Sequence, residues 1–405
     1  MRFVLISTHT DQLTGYSKVA ANLLQQVSTI PDVKVFHFGF QRNAARSGIR
    51  KAPKGVIQYD AAANEEPREQ GFGTNKIFEY LETVNPDVVM MYNDPMLINS
   101  FLDAMKYEKG KTPYKFWVYL DLVYTGTMNF LIERITKAAD RVYMFSDSWV
   151  KEYLTYGPVQ NIGVIEHAVD STVFSRISPI ARESARAANN LPPDSILFLN
   201  ANRNSIRKRT DLCIMSFVEL ISRDLTKPYY MMLVTAATPQ GGGYYDLVRI
   251  YLSELAVYGI SVESIGQRLI IVDTGTTALS DEKINEIYNV ADIGINTSDG
   301  EGFGLCQLEH LFVGAPQVVT DVGVYSEFLP PDTCEIVPAD GRAYFNVTMA
   351  IGFKIPLFSH ISIADAMQRT IDTLDERREA IKNHQFKTWD EICANWLTDI
   401  RNECK

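Results

Sequence analysis

The chain contains no Asp-x-Asp triplet, no Cys-x-x-Cys pair and no histidine pair at ligand spacing. Without those sets the sequence offers no carboxylate or thiolate cluster for a divalent cation, so no metal site and no metal cofactor are expected. The five cysteines, Cys213, Cys306, Cys334, Cys393 and Cys404, are scattered, as in a reducing compartment where thiols serve packing. No run approaches the roughly 20 apolar residues of a membrane span. The opening MRFVLIST has one basic residue and a short apolar run, which reads as a first buried strand and not a signal peptide. A cytoplasmic location without a transmembrane segment is therefore expected. Positive charge is also in short supply: 39 Lys and Arg against 49 Asp and Glu give a net charge of −10. A broad nucleic-acid face is excluded on that balance, and any anionic ligand must be held by a local cluster.

With 405 residues, 46% of them apolar, the chain exceeds one ordinary core and suggests two α/β domains. Short β-rich runs alternate with segments of helical period, the pattern of βα units on a parallel sheet. The first half gives strands at 3–7, 33–38, 87–92, 115–120 and 141–145; the second gives them at 195–200, 229–235, 268–272, 293–296 and 317–320. Between the halves, residues 170–193 hold no strand signal and carry Pro179, Pro192 and Pro193. We therefore expect a first domain over 1–175, a linker over 176–192 and a second domain over 193–387. Two glycosylation sequons, at Asn296 and Asn346, are expected to be chance matches in a cytoplasmic protein.

The most informative stretch is NTSDGEGFGLCQLEHLFVGAPQVVTD, running from Asn296 to Asp321 as strand, glycine-bearing loop, helix and strand. Gly302 and Gly304 allow close backbone approach, and a helix opening near Gly304 aims its first N–H groups at the loop, a ready anion site for a diphosphate. Glu301 lies in that loop and Glu309 about one and a half turns along the helix, roughly 8–12 Å further on the axis. One carboxylate can then face a sugar while the other faces a ribose. A second cluster, NANRNSIRKR, follows the 195–200 strand and places Arg203 and Lys208 at the carboxyl end of a strand, where open parallel sheets bind ligands. Two cations there suit a pyrophosphate leaving group. Arg207 and Arg209 are read as solvated surface charge. The plain alternative for both stretches is an ordinary βα turn with glutamates on a helix.

These residues resemble the retaining glycosyltransferases of family four, which have the GT-B fold of two Rossmann-like domains facing across a cleft. Arg203 and Lys208 match the family's arginine-to-lysine loop, and EGFGLCQLE matches its E-x(7)-E motif as Glu301 and Glu309. SDEKINEIYNVADIGINTS is similar to the segment leading into that motif. TGYSKVAANLLQQV resembles the family's first glycine loop and helix, with Gly15 in the loop position; VIEHAVDSTVF looks like the end of the first domain, and WDEICANWLTDI like the final helix. The resemblance implies that the last helix, over 388–405, completes the first domain. It further implies a nucleotide-sugar donor with no cofactor and a glycan or glycoconjugate acceptor. Arg203 and Lys208 would bind the diphosphate, Glu309 the ribose and Glu301 the sugar. Gly302, Phe303, Gly304 and Leu305 would supply amides, and the loop of Val272, Asp273 and Thr274 would meet the base through its backbone. GDP-mannose is slightly preferred over a UDP-sugar.

The chain departs from the family in two places. A histidine expected near the donor sugar is replaced by Leu120 and Asp121, so Asp121 either takes part of that role or the geometry differs. His167 stands where asparagine-glycine is usual and is read as structural; His9, beside Gly15, fits a site or a core equally well. An inactive nucleotide-sugar-binding protein and a nucleotide-sugar epimerase remain as alternatives. A dinucleotide oxidoreductase is weaker, because no Gly-x-Gly-x-x-Gly follows either first strand.

Overall fold

The computed structural model describes residues 1–43, 50–67, 70–126, 129–275, 279–344 and 354–404; Asn346 lies outside them. Two units emerge. The first comprises Met1–Ala168 together with the C-terminal segment Lys387–Lys405, and the second comprises Val169–Tyr344 and Ile355–Phe386.

The first unit is built on a seven-stranded parallel sheet. Its strands are β1 (Arg2–Thr8), β2 (Lys34–Phe40), β3 (Val56–Asp60), β4 (Val88–Asn93), β5 (Lys115–Leu120), β6 (Arg141–Met144) and β7 (Ile162–Val164), in spatial order β3-β2-β1-β4-β5-β6-β7. β1 is buried along FVLIST without alternation, as expected of a strand covered by helices on both faces. The helix Gly15–Val27 starts on a reciprocal cap between Thr14 and Ser17. A second capping box, Thr388 with Glu391, starts the final helix Trp389–Glu403, which buries Trp389, Cys393, Trp396, Leu397 and Ile400. Trp396 packs edge-on to Phe3 at 6.1 Å, and Asp399 accepts from Arg141 at 2.8 Å and Tyr143 at 2.7 Å. The last helix is thus built into the unit that contains the first strand.

The second unit repeats the design with six parallel strands: β8 (Ile196–Asn200), β9 (Tyr229–Thr235), β10 (Leu269–Asp273), β11 (Ile293–Asn296), β12 (Gln317–Thr320) and β13 (Cys334–Val337), ordered β10-β9-β8-β11-β12-β13. Its core joins Phe198, Phe217, Met231, Ile295, Val318 and Met367.

The stretch expected as a linker is instead part of this unit. Within it a helix, Pro179–Ala188, is held by two arginines on the carboxylate of Asp292, with Arg182 at 2.6 Å and Arg186 at 2.9 Å. Arg186 is buried and also donates to the Ser195 carbonyl at 2.6 Å. The prolines that suggested a connector mark, at Pro179, a helix start capped by Ser178.

Candidate functional site

From β8 the chain builds outward to β9 and β10, then returns to β11 on the other side of β8 and builds toward β13. The carboxyl ends of β8 and β11 therefore flank a point where the strand order reverses, and the crevice between two such ends is where open α/β sheets hold ligands. The two loops that leave these ends are the two singled out by sequence. They are stitched together: Asp299 N–H donates to the Arg207 carbonyl at 3.0 Å, and the Thr297 hydroxyl to the Arg209 carbonyl at 2.8 Å.

Glu301 sits at their junction, 4% exposed. Lys208 Nζ donates to one carboxylate oxygen, which also accepts from Asn296 Nδ2 at 2.9 Å, with the Ser298 hydroxyl 2.8 Å away; Arg207 donates to the other at 3.1 Å. Burial by itself would raise this carboxyl, but the Lys208 ammonium, the Arg207 guanidinium and the hydrogen bonds of Lys208 and Asn296 override it and hold Glu301 well below the usual carboxylate range. Burial lowers the Lys208 ammonium below its ordinary value, and Arg207 adds to that against the pull of Glu301. Two cations against one carboxylate leave a local charge of +1. Lys208 has three N–H donors, of which Glu301 and Asn202 Oδ1, the latter at 3.1 Å, take two. Among the described residues nothing accepts from the third.

A helix end faces the same place. Gly304, at φ +103°, takes the N-cap of the helix Leu305–Phe312, and an added Cβ would stand 2.5 Å from Tyr325 Cε1. A side chain is excluded there by conformation and by space alike. Tyr325 and Gln307 meet Asn296 Nδ2 at 2.5 and 2.9 Å, so one asparagine at the end of β11 locks the loop, the helix and Glu301 together. Phe303 is buried and stacks on Phe328 at 4.4 Å. The result is a rigid cradle with a cation and helix N–H groups on one side, suited to a phosphate.

Glu309 lies on the inner side of the same helix, 2% exposed, and accepts from the Tyr288 hydroxyl at 3.1 Å. Arg203 is on the Lys208 loop and exposed to solvent. Val272 and Asp273 end β10, two strands from β8, and Thr274 follows; Asp273 accepts from its own loop at Gly275 N, 2.8 Å. The structure thus gathers Lys208, Glu301, Gly302, Phe303, Gly304 and Leu305 on the reversal point, with Glu309 beyond them, and puts the Val272–Thr274 loop further along the same edge.

Gly15 and Asp121 belong to the first unit. Gly15 opens the helix after β1, is exposed, and an added Cβ there would meet nothing within 4 Å. Asp121 follows β5 and accepts from the Tyr16 hydroxyl. His9 is buried with its ring against Gly39, and burial, ahead of the nearby charges, lowers its pKa. His167 is likewise buried among Phe145, Tyr119 and Trp389, which pushes it down to about 3 and keeps it neutral. The reading of Arg207 as surface charge is corrected: its side chain is 23% exposed and reaches Glu301 and the Gly300 carbonyl. Arg209 pairs with Asp211 at 3.0 Å. Asn296, Asn202, Tyr288 and Tyr325 were not anticipated. Asn296 carried one signal, a polar residue closing a strand of otherwise buried type. Among the described residues no group of three or more His, Cys, Asp or Glu is placed to hold a metal ion. Among them, too, no helix is long and apolar enough to cross a membrane.

Comparison with known proteins agrees with this architecture. No family model matches the chain. Among curated proteins it is similar to D-inositol 3-phosphate glycosyltransferase 2 of Catenulispora acidiphila, 25% identical over 195 residues, covering 47% of this chain and 42% of that one. The D-inositol 3-phosphate glycosyltransferase of Rhodococcus erythropolis is 28% identical over 163 residues, 40% of this chain and 33% of that protein. The chain spans less than half the length of these relatives. Among solved structures, Anabaena HepE in complex with UDP and glucose superposes with a TM-score of 0.69 at 12% identity, over 99% of this chain and 100% of that one. Sucrose-phosphate synthase of Thermosynechococcus elongatus gives 0.67 at 16% identity, over 99% and 98%. The fold is that of the GT-B glycosyltransferases, two Rossmann-like parallel-sheet domains.

Proposed function

We propose that this chain is a glycosyltransferase that moves a hexose from a nucleoside-diphosphate sugar to a hydroxyl of a glycan or glycoconjugate, with retention at the anomeric carbon and without a metal ion. The observation that carries the reading is the meeting of Lys208, buried Glu301 and the Gly304 helix end on the strand-reversal point of the second unit. In this reading Lys208, Arg203 and the amides of Gly302, Phe303, Gly304 and Leu305 take the diphosphate, Glu309 the ribose and Glu301 the sugar hydroxyls. The loop of Val272, Asp273 and Thr274 takes the base. On the first unit we assign Gly15 and Asp121, the latter at the position where the resembled family has a histidine.

The bond from the anomeric carbon to the phosphate oxygen breaks as the bond to the acceptor oxygen forms on the same face, and the acceptor proton passes to the departing diphosphate. Fixed cations and helix-end N–H groups then stabilise the leaving charge without reorganising. The absence of any Asp-x-Asp triplet supports a metal-independent reaction. The curated relatives are named as glycosyltransferases, and HepE holds UDP and glucose, which puts UDP-hexoses first among donors to test, followed by GDP-mannose. We place the protein in the cytoplasm, in keeping with its scattered free cysteines.

The test is donor turnover, followed by release of nucleoside diphosphate with an acceptor panel, in EDTA, with the anomeric configuration of the product read by NMR. Turnover that persists in EDTA and gives a retained anomer is the expected result. Loss of activity in EDTA with recovery in Mg²⁺ removes the metal-independent mechanism, and an inverted product removes retention.

A further inference from the structure

At the amino ends of β11 and β12, away from the carboxyl ends that carry the reversal-point loops, a cavity of about 300 Å³ opens beside Ala291 and Ala315. Its charged lining is all of one sign: Arg176, Arg182, Arg378 and Lys382, with Tyr288 and Gly314 completing the walls. Behind the wall, the buried carboxylate of Asp292 accepts from Arg182 and Arg378 at 2.6 Å each and from Arg186 at 2.9 Å. Three guanidiniums on one carboxylate leave +2. Lys382 is balanced by Glu379 at 2.6 Å, and the fully exposed Asp375 is 4.0 Å from Arg378.

Arg176 adds another positive charge. It lies along Gly314, where an added Cβ would stand 3.0 Å from its Nε, and among the described residues it has no carboxylate partner. Arg176 is exposed overall, and the partial cover it has in the hollow lowers its guanidinium below the ordinary value. Cations crowded in a partly desolvated hollow repel one another, and a doubly charged anion accepting planar N–H pairs relieves that repulsion. The volume is at the small end of ligand pockets, enough for a phosphorylated small molecule and too small for a macromolecular segment.

We propose that this cavity is a second ligand site, separate from the reversal-point loops, that takes a small phosphate monoester or free phosphate on Arg176, Arg182 and Arg378. Tyr288 forms part of its wall and also holds Glu309 through its hydroxyl, so one side chain borders both sites.

The test is calorimetry on the full chain with inorganic phosphate and with glycerol 1-phosphate, comparing wild type and Arg176→Gln. Both probes should bind wild type, and Arg176→Gln should weaken them by about tenfold, roughly 1.4 kcal/mol. Tighter binding of the monoester marks it as the ligand class, whereas equal affinity assigns the site to the phosphate group alone. Arg176 is exposed, so its replacement should leave the near-UV circular dichroism unchanged. As a measurement free of any variant, phosphate should protect Arg176 of wild type from modification by phenylglyoxal. Unchanged phosphate affinity in Arg176→Gln, no protection of Arg176 by phosphate, or no uptake of phosphate by wild type would each overturn the proposal.

Discussion

Glu301 keeps its charge inside the protein because Lys208 and Arg207 stand against it, and removing either side of such a pair leaves the other desolvated at a cost of about 3–5 kcal/mol. Glu301→Gln keeps the shape and one acceptor oxygen but removes the charge that both cations face, so the variant should be less stable while Lys208 and Arg207 are freed for an anion. Its nucleoside-diphosphate affinity should therefore be kept or raised, since Lys208 gains a donor for phosphate, whereas turnover of the sugar donor should drop by about tenfold or more as the contact to the reacting sugar is lost. Glu309→Ala should behave differently: a ribose contact serves the free diphosphate and its sugar conjugate alike, so both should weaken by roughly 1.5–3 kcal/mol. Calorimetry with the two ligands on the folded variants, beside kinetics, separates the roles. A Glu301→Gln protein that no longer binds the diphosphate, or a Glu309→Ala protein unchanged in both assays, would sink the assignment.

The helix Leu305–Phe312 depends on a start that only glycine provides, so Gly304→Ala meets both a positive φ and the Tyr325 ring. A loss of about 1–3 kcal/mol is expected, together with weaker nucleotide binding as the helix end shifts. Gly15→Ala, with nothing within 4 Å of the new methyl, should leave stability unchanged. Denaturant titration of the two variants gives the comparison, and a fall in activity for Gly15→Ala at constant stability would mark a place where substrate approaches the backbone. This element scale is also where sequence reading succeeded and failed. Strands buried on both faces, such as β1 and β4, were legible as unbroken apolar runs. Among the strands it missed, β3, β7 and β13 are sheet edges, short and only partly buried, so their apolar signal is diluted, and the pair Gly341–Tyr344 and Lys354–Leu357 forms a small separate sheet with little burial. At the site the charged residues were legible by type and spacing. Arg207 was not, since nothing in the run Arg207-Lys208-Arg209 tells which head turns inward, and Asn296 and Tyr325 act through contacts that only the folded loops create.

At the scale of the whole molecule, the boundary between the units falls at Ala168 and not after residue 175, and it can be tested by cutting. Asp292 is 4% exposed and draws its charge balance from Arg182, Arg186 and Arg378, two of which precede residue 193. The same upstream segment supplies Ser175 and Ile177, whose N–H groups bond Asn285 at 3.1 Å and Asn289 at 3.0 Å, and Phe174, whose ring lies 5.9 Å from Tyr288. A piece beginning at residue 193 leaves a buried carboxylate with one arginine, uncovers Tyr288 and removes the upstream partners of the Asn285 and Asn289 side chains, which keep the bonds between these two residues. Each lost partner of a buried charge costs about 3–5 kcal/mol, and whole domains are stable by only about 5–15 kcal/mol. The expected outcome is that the piece 169–386 unfolds cooperatively in urea and binds a nucleoside diphosphate. The piece 193–386 should lack a cooperative transition and expose apolar surface to a hydrophobic dye. Equal midpoints and equal nucleotide affinity for the two pieces would return the segment 169–192 to the status of a connector and would mean that the arginines on Asp292 contribute nothing to the fold.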